Sequence, residues 1–329
     1  MASGRITIND VAVEAGVSRQ TVTRAMNDMA EISPATRARV LHAVEKLGYR
    51  PSRFASNLAR QKHHTLGLVI RSLRNPYYAD LAAEILDVMS AVGWQTSVET
   101  NGSATDVDVV TELSAHVDVI AGYFEDTDEA VLHAARGVPI IMFERPARMP
   151  GMHSIQLDFE TGMRNLLDVL RARGARGFGM IDSRSAAPGS TYVPSVRRKA
   201  FERFVDDDSR QRIVTAPETI TAAAHAFIEL KTRFPELDTL IGFNDLMAMG
   251  AMQAAHSMQV EVPGAVRIVG IDGLSLGEAM FPALTTLSLD LRSLAVNVAE
   301  MSAELAGKAP GAASVTRVVE PYALWRASA

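Results

Sequence analysis

Thr7-Ile8-Asn9-Asp10-Val11-Ala12-Val13-Glu14-Ala15-Gly16-Val17-Ser18-Arg19-Gln20-Thr21-Val22-Thr23-Arg24-Ala25-Met26-Asn27 reads as two short helices joined by a tight turn. Thr7 is placed to cap the first helix, with Asp10 at its third position; Gly16 permits the turn and Ser18 caps the second helix. Val11, Ala12 and Ala15 repeat at helical spacing in the first helix, and Val22 and Met26 in the second, so each presents an apolar stripe to the other. The outer face of the second helix then carries Arg19, Gln20, Thr23, Arg24 and Asn27, with Ser18 and Thr21 beside its start. Arg can grip guanine through two acceptors and Gln can do the same for adenine. Hydroxyls and free N–H groups at a helix start suit a phosphate. A helical hairpin with a merely solvated polar face is the alternative; the coincidence of caps, turn glycine and clustered base readers favours a helix-turn-helix entering the major groove.

The pattern continues outward. Ser33-Pro34 is an N-cap followed by proline at the first helical position, and Val40, Leu41, Val44 and Leu47 supply an apolar face before Gly48. This completes a three-helix headpiece over residues 1–50. On these residues the chain resembles the LacI/GalR (lactose and galactose repressor) family of bacterial transcription regulators. The next segment, 51–62, includes Arg53-Phe54-Ala55-Ser56-Asn57-Leu58-Ala59-Arg60 and resembles that family's hinge helix, which folds on operator DNA. The resemblance makes Leu58 the minor-groove wedge, and such wedges unstack a base step and bend the duplex. A basic linker, unfolded without DNA, is the other reading of this stretch. Thr7, Ser18, Arg19, Gln20, Thr21, Thr23, Arg24, Asn27, Arg53 and Leu58 are the expected DNA-contacting residues, with a pseudo-palindromic operator as partner.

Charge divides the chain in the same place. Through Lys62 there are ten Lys or Arg against five acids, leaving +5, whereas the whole chain is −5 and the remainder therefore −10. A basic head on an acidic body is the footprint expected when only one part meets phosphate.

At 329 residues, 47% of them hydrophobic, the chain can hold a small head and a two-lobed body. No apolar run approaches the roughly twenty residues that span a bilayer, and no apolar core follows the first residues, so a cytoplasmic location is expected. The absence of cysteine removes disulfides, thiol nucleophiles and cysteine metal sites. There is no P-loop, since Gly307-Lys308 lacks the upstream glycine and the following hydroxyl, and no His-Glu-x-x-His or Gly-x-Ser-x-Gly motif. Gly174-Ala175-Arg176-Gly177-Phe178-Gly179 has the wrong spacing for a dinucleotide loop and reads as a helix stop. The histidines are scattered, and His63-His64 suits solvent better than a metal. No enzyme, no cofactor and no metal is expected.

From Thr65 onward, short apolar runs alternate with amphipathic helices. Strands are expected at 66–70, 117–122, 139–143, 177–181, 239–243 and 267–271; helices at 78–92, 129–135, 161–173, 196–205, 222–234 and 245–258. Repeated βα units with buried parallel strands make two doubly wound lobes the economical solution. The family resemblance extends here through Leu73-Arg74-Asn75-Pro76-Tyr77-Tyr78, Phe243-Asn244-Asp245, Val269-Gly270-Ile271-Asp272-Gly273 and Pro282-Ala283-Leu284-Thr285-Thr286. It implies a periplasmic-binding-protein-like α/β body of two Rossmann-like lobes over residues 63–329. The chain would cross between lobes near Leu157, Leu287 and Val318. That assigns about 63–157 and 287–317 to one lobe, and about 158–286 and 318–329 to the other.

A ligand belongs in the crevice at the carboxyl ends of the strands. Matching the family's pocket position by position gives Arg71, Tyr77, Glu144, Arg197, Asn244 and Asp272 as effector-binding residues; Asn244 and Asp272 could alternatively serve only as caps. This donor and acceptor set suits a polyhydroxylated molecule. Leu289 stands where the lactose repressor has a polar contact, and Arg71 and Arg145 would join Arg197. The expected effector is therefore a sugar, with a sugar acid or sugar phosphate favoured by the guanidinium groups. A homodimer is expected, because one headpiece covers only one half-site. The function expected is an allosteric repressor, with inducer and co-repressor both open; a sugar-binding transport module is the alternative.

Overall fold

The computed structural model describes residues 8–26, 32–47, 64–101, 104–184, 192–307 and 313–329. Thr7, Asn27, Arg53, Leu58 and the whole segment 51–62 lie outside the described residues. The chain divides into two compact units, 1–63 and 64–329.

In the first unit, α1 (Ile8–Ala15), α2 (Arg19–Met26) and α3 (Pro34–Leu47) enclose a small core of Val11, Ala12, Ala15, Val22, Ala25, Val40 and Ala43. Gly16 sits at φ +63°, a conformation open to glycine, and Val17 N–H closes the turn on Ala12 O at 3.0 Å. Ser18 Oγ accepts from Thr21 N–H at 3.1 Å, and Ser33 Oγ from Thr36 N–H at 3.3 Å, so both helix starts carry the side-chain caps that the sequence indicates. One expectation fails: Leu41 is half exposed, because the buried stripe of α3 runs through Val40, Ala43, Val44 and Leu47, and Leu41 lies about 100° round the helix from Val40.

The second unit holds two six-stranded sheets. Its elements are β1 (Thr65–Ile70), α4 (Pro76–Ala91), β2 (Gln95–Thr100), α5 (Asp106–Leu113), β3 (Val119–Gly122), α6 (Asp128–Ala134), β4 (Ile140–Phe143), β5 (Met152–Leu157), α7 (Phe159–Ala172), β6 (Phe178–Ser183), α8 (Val196–Phe204), α9 (Asp207–Gln211), β7 (Ile213–Ala216), α10 (Ile220–Arg233), β8 (Thr239–Gly242), α11 (Asp245–Ser257), β9 (Arg267–Asp272), β10 (Thr285–Ser288), α12 (Leu291–Leu305), β11 (Thr316–Val319) and β12 (Tyr322–Leu324). The first sheet runs β11-β5-β4-β3-β1-β2 and the second β12-β10-β9-β8-β6-β7. All pairings are parallel except β10 with β12. The chain therefore changes sheet three times, after β5, after β10 and after β11.

Both faces of each sheet are covered, so the strands are apolar on both sides. In β1, Leu66, Leu68 and Ile70 face one core while Val69 faces the other, with Val110, Leu113 and Ile120. The first of these cores continues through Phe159, Met163, Ile271 and Leu287 into the second lobe, so the two lobes share an apolar base where the chain crosses. Met247, Met249 and Met252 of α11 fill the remaining core of the second lobe, against Phe227 and Leu230 of α10.

Candidate functional site

Eight strand or helix ends converge on the crevice between the two sheets. Arg71 follows β1, Tyr123 follows β3, Glu144 follows β4, Glu218 follows β7, Phe243 and Asn244 follow β8, and Asp272 ends β9. Tyr77 lies in the first turn of α4, whose N-cap Asn75 accepts from Tyr77 N–H at 3.1 Å. Arg197 lies in the first turn of α8, capped by Ser195 through Arg198 N–H at 3.0 Å. All six residues expected to bind an effector, Arg71, Tyr77, Glu144, Arg197, Asn244 and Asp272, line one cavity of about 60 Å³. Asn75, Tyr78, Tyr123, Glu218 and Phe243 complete its lining. Arg71, Asn75, Tyr78 and Glu218 also border a wider mouth of about 500 Å³.

Arg197 is the centre of the charge arrangement. It is buried, donates to Phe243 O at 2.7 Å, and stacks 4.4 Å from the Phe243 ring centroid. Asp272 Oδ1 lies 3.4 Å away and Glu144 Oε1, from the opposite lobe, 3.8 Å. Burial disfavours the guanidinium charge, but Asp272 and Glu144 outweigh it and hold Arg197 above its ordinary value. Asp272 is in the reverse position. Burial pushes its carboxyl well above the usual range; Arg197 opposes this, while Asp245 and Glu144 add to it. Although Arg197 is within ion-pair distance, neither oxygen of Asp272 accepts a hydrogen bond from any of the described residues. A buried carboxylate without donors is costly, which marks Asp272 out within the cavity lining.

Backbone strain coincides with these residues. Glu144 has φ +59° and Asp272 φ +136°, conformations that side-chain-bearing residues rarely adopt. Asp245 holds the second of these bends: its carboxylate accepts from Gly273 N–H at 3.1 Å, Leu274 N–H at 2.8 Å and the Thr286 hydroxyl at 2.6 Å. The close approach requires Gly270, where a Cβ would fall 2.0 Å from Asp245 Oδ1. Asn244 caps a helix and also lines the cavity. Its Oδ1 caps α11 through Met247 N–H at 2.8 Å, and its Nδ2 donates to Glu218 Oε2 at 3.1 Å inside the cavity.

Tyr77 and Tyr123 share a 2.7 Å hydroxyl bond, and Tyr123 reaches on to Glu144 at 3.4 Å. Burial raises both phenols well above their ordinary value, so they act as neutral hydrogen-bonding groups. Asp182, at the end of β6, accepts from Ser195 Oγ at 2.6 Å and from Tyr192 Oη at 2.5 Å and so fixes the start of the helix that carries Arg197. Nothing in the sequence pattern singled out Asp182, Tyr123 or Glu218, although each sits where a strand runs out.

Two expectations about charge require correction. Arg145 does not enter the cavity: its guanidinium donates to Phe124 O at 2.7 Å and Asp126 O at 3.1 Å and pairs with Asp128. Arg71 does border the cavity but pairs with Glu125. Leu289 is fully buried in the apolar core. The guanidinium surplus that favoured an acidic effector is therefore absent.

On the helix-turn-helix, Ser18, Arg19, Gln20 and Arg24 are exposed. Thr21 and Thr23 are half-buried, and their hydroxyls bond locally: Thr21 Oγ1 with Ser18 Oγ at 2.9 Å, and Thr23 Oγ1 donating to Arg19 O at 3.1 Å. Arg19, Gln20 and Arg24 are thus the exposed long polar side chains of α2 among the described residues. Among those residues, no helix is long and apolar enough to cross a membrane and no cluster of side chains could hold a metal ion.

A three-helix reader in one chain with a two-lobed, parallel-sheet body defines a ligand-responsive DNA-binding regulator. The family model "Bacterial regulatory proteins, lacI family" matches residues 7–52, and the model "Periplasmic binding protein-like domain" matches 167–329. The HTH-type transcriptional regulator GalR of Salmonella typhimurium strain LT2 is 29% identical, over 98% of this chain and 95% of that protein. Catabolite control protein A of Staphylococcus xylosus is 27% identical, over 86% and 87% respectively. A LacI family transcriptional regulator from Arthrobacter sp. FB24, solved in complex with lactose, superposes with a TM-score of 0.73 at 27% identity, covering 81% of this chain and 99% of that one. Head and body together make the chain similar to the LacI/GalR family of bacterial transcription regulators.

Proposed function

We propose that this protein is a cytoplasmic, homodimeric repressor whose affinity for a pseudo-palindromic operator is set by a carbohydrate-derived effector bound between the two lobes of its body. The observation that carries the effector half is the single cavity reached by Arg71, Tyr77 and Glu144 from one sheet and by Arg197, Asn244 and Asp272 from the other. Carboxylates and amide oxygens accept from hydroxyl groups, guanidinium and amide nitrogens donate to them, and aromatic faces cover the carbons of a sugar ring. The relative solved with lactose supports the ligand class.

Arg19, Gln20 and Arg24 read base edges, Ser18 and the helix start hold a phosphate, and Thr7, Thr21, Thr23, Asn27 and Arg53 add backbone contacts, with Leu58 as the minor-groove wedge. Two copies are needed because one head covers one half-site. Ligand binding alters lobe closure, and the segment joining body to head transmits that change to the operator. The chain performs no catalysis; the relatives named above are regulators.

A thermal-shift screen against neutral sugars, sugar acids and sugar phosphates tests the effector half. A ligand at a hundred times its Kd stabilises its protein by about 2.7 kcal/mol. A shift with one carbohydrate that disappears in Arg197→Ala is the expected result. No shift with any carbohydrate would reject the cleft as a carbohydrate site.

A further inference from the structure

The cavity has an electrostatic signature that the carbohydrate reading alone does not use. Arg71, Arg74 and Arg197 are the cations lining the inner cavity and its mouth, against Asp106, Glu125, Asp126, Glu144, Glu218 and Asp272. Several of these acids already have partners. Asp106 accepts from Asp126 N–H at 2.9 Å, and Asp126 from Val107 N–H at 3.3 Å. Glu125 pairs with Arg71, and Glu218 accepts from the Ser183 hydroxyl at 2.8 Å and Asn244 Nδ2 at 3.1 Å. What remains in the inner cavity is Arg197 faced by two carboxylates, Glu144 and Asp272, with both oxygens of Asp272 lacking any hydrogen-bond donor among the described residues.

This arrangement is short of donors and of positive charge. An anionic ligand would meet the carboxylate excess and could reach Arg197 only by displacing Glu144 or Asp272. A neutral hydroxyl would offer Asp272 one donor and leave the charge imbalance in place. An ammonium group supplies up to three donors, no acceptor and a full positive charge. Tyr78 and Phe243 line the same cavity.

We infer that the effector carries a protonated amine, as an amino sugar does, held by the free oxygens of Asp272 with Glu144 beside it. The inference rests on the cleft being a carbohydrate site and specifies the ligand within that class. It assigns Asp272 the role of selecting an amine over the corresponding hydroxyl.

The experiment is calorimetric titration of the full-length protein with matched hexoses: glucose, galactose and mannose, their 2-amino-2-deoxy counterparts, and the N-acetylated forms of those amines. N-acetylation removes the charge while retaining the nitrogen. At least one amine is expected to bind ten times or more tighter than both its hydroxyl parent and its N-acetyl derivative, and Asp272→Asn to reduce that preference to less than about threefold. Glu144→Gln, which leaves Asp272 in place, should lower the preference partially and serves if Asp272→Asn does not fold. A hydroxyl or N-acetyl sugar binding as tightly as the amine, a preference that survives Asp272→Asn, or no binding of any amine would each overturn the inference. The carbohydrate reading fails separately, when none of the broader thermal-shift panel produces a response.

Discussion

At the scale of single residues, Asp272 shows how a binding group is kept at the expense of stability. Burial holds its carboxyl well above the ordinary value of about 3.9, so ionising it costs the folded body stability. A group whose value is raised on folding contributes stability that is complete below the unfolded value and is lost as pH rises through the folded one. Asp272→Asn removes that penalty while leaving Arg197 its contacts with Phe243 O and Glu144. The variant is expected to melt higher than the parent at neutral pH by about 2–4 °C, the shift that roughly 1 kcal/mol produces in a domain of this size. The difference should shrink toward pH 4. Equal melting temperatures across that range in scanning calorimetry would contradict the burial argument. Such trade-offs are usual at functional sites, where strain and unsatisfied groups persist because the surroundings enforce them.

The same scale shows what could be read in advance. Arg71, Tyr77, Glu144, Arg197, Asn244 and Asp272 follow from matching the family's pocket position by position; all sit at strand ends or helix starts, which the topology carries to one crevice. Arg145 escapes that reading because sequence adjacency to Glu144 says nothing of direction, and its guanidinium bonds Asp126 O and pairs with Asp128. Glu218 and Tyr123 escaped notice because an isolated carboxylate or phenol after a strand has no local signature.

At the scale of elements, α2 is the unit that carries sequence-specific recognition in the proposed function. Gln20→Ala and Arg24→Ala are each expected to relax base preference at one operator position by about 1–3 kcal/mol, without weakening binding to random duplex to the same extent. Competition titrations against single-position operator variants check this. A uniform loss over every sequence would mean that both residues contact only the backbone.

Element legibility followed burial only in part. β1 and β9 announce themselves as apolar runs, and the helices after them by their stripes, whereas β10, equally buried, reads Thr-Thr-Leu-Ser and gives no such signal. β2 was missed because it is the outer strand of its sheet: Gln-Thr-Ser-Val-Glu-Thr is half-buried or exposed throughout. α5 is short and begins with Asp106-Val107-Asp108, and its Thr105–Asp108 capping box is a signal that a closer reading would have caught. α12 starts after Asp290, whose Oδ1 accepts from Ser293 N–H at 3.1 Å as an N-cap, although its φ of +48° is left-handed and it lies only two residues beyond β10.

At the scale of the whole molecule, charge and connectivity express one design. The basic head and acidic body assign phosphate to one unit only, which was legible from counting. The three passages between sheets were not visible as composition or periodicity; they followed from the family resemblance, and the shared apolar base beneath the cleft explains why they are needed. A cleft built from two lobes joined by three strands can close without unfolding either lobe, which is what a ligand-driven switch requires.

The most direct test of this account is thermodynamic linkage between the two sites. Operator affinity of the full-length protein would be titrated with and without saturating effector, and effector affinity with and without saturating operator, at one fixed salt concentration. An operator chosen by selection from random duplex and an effector taken from the carbohydrate screens would serve. Each ligand is predicted to change the other's affinity by the same factor, between about 5- and 150-fold. Operator affinity unaltered by an effector bound in the cleft would contradict the account.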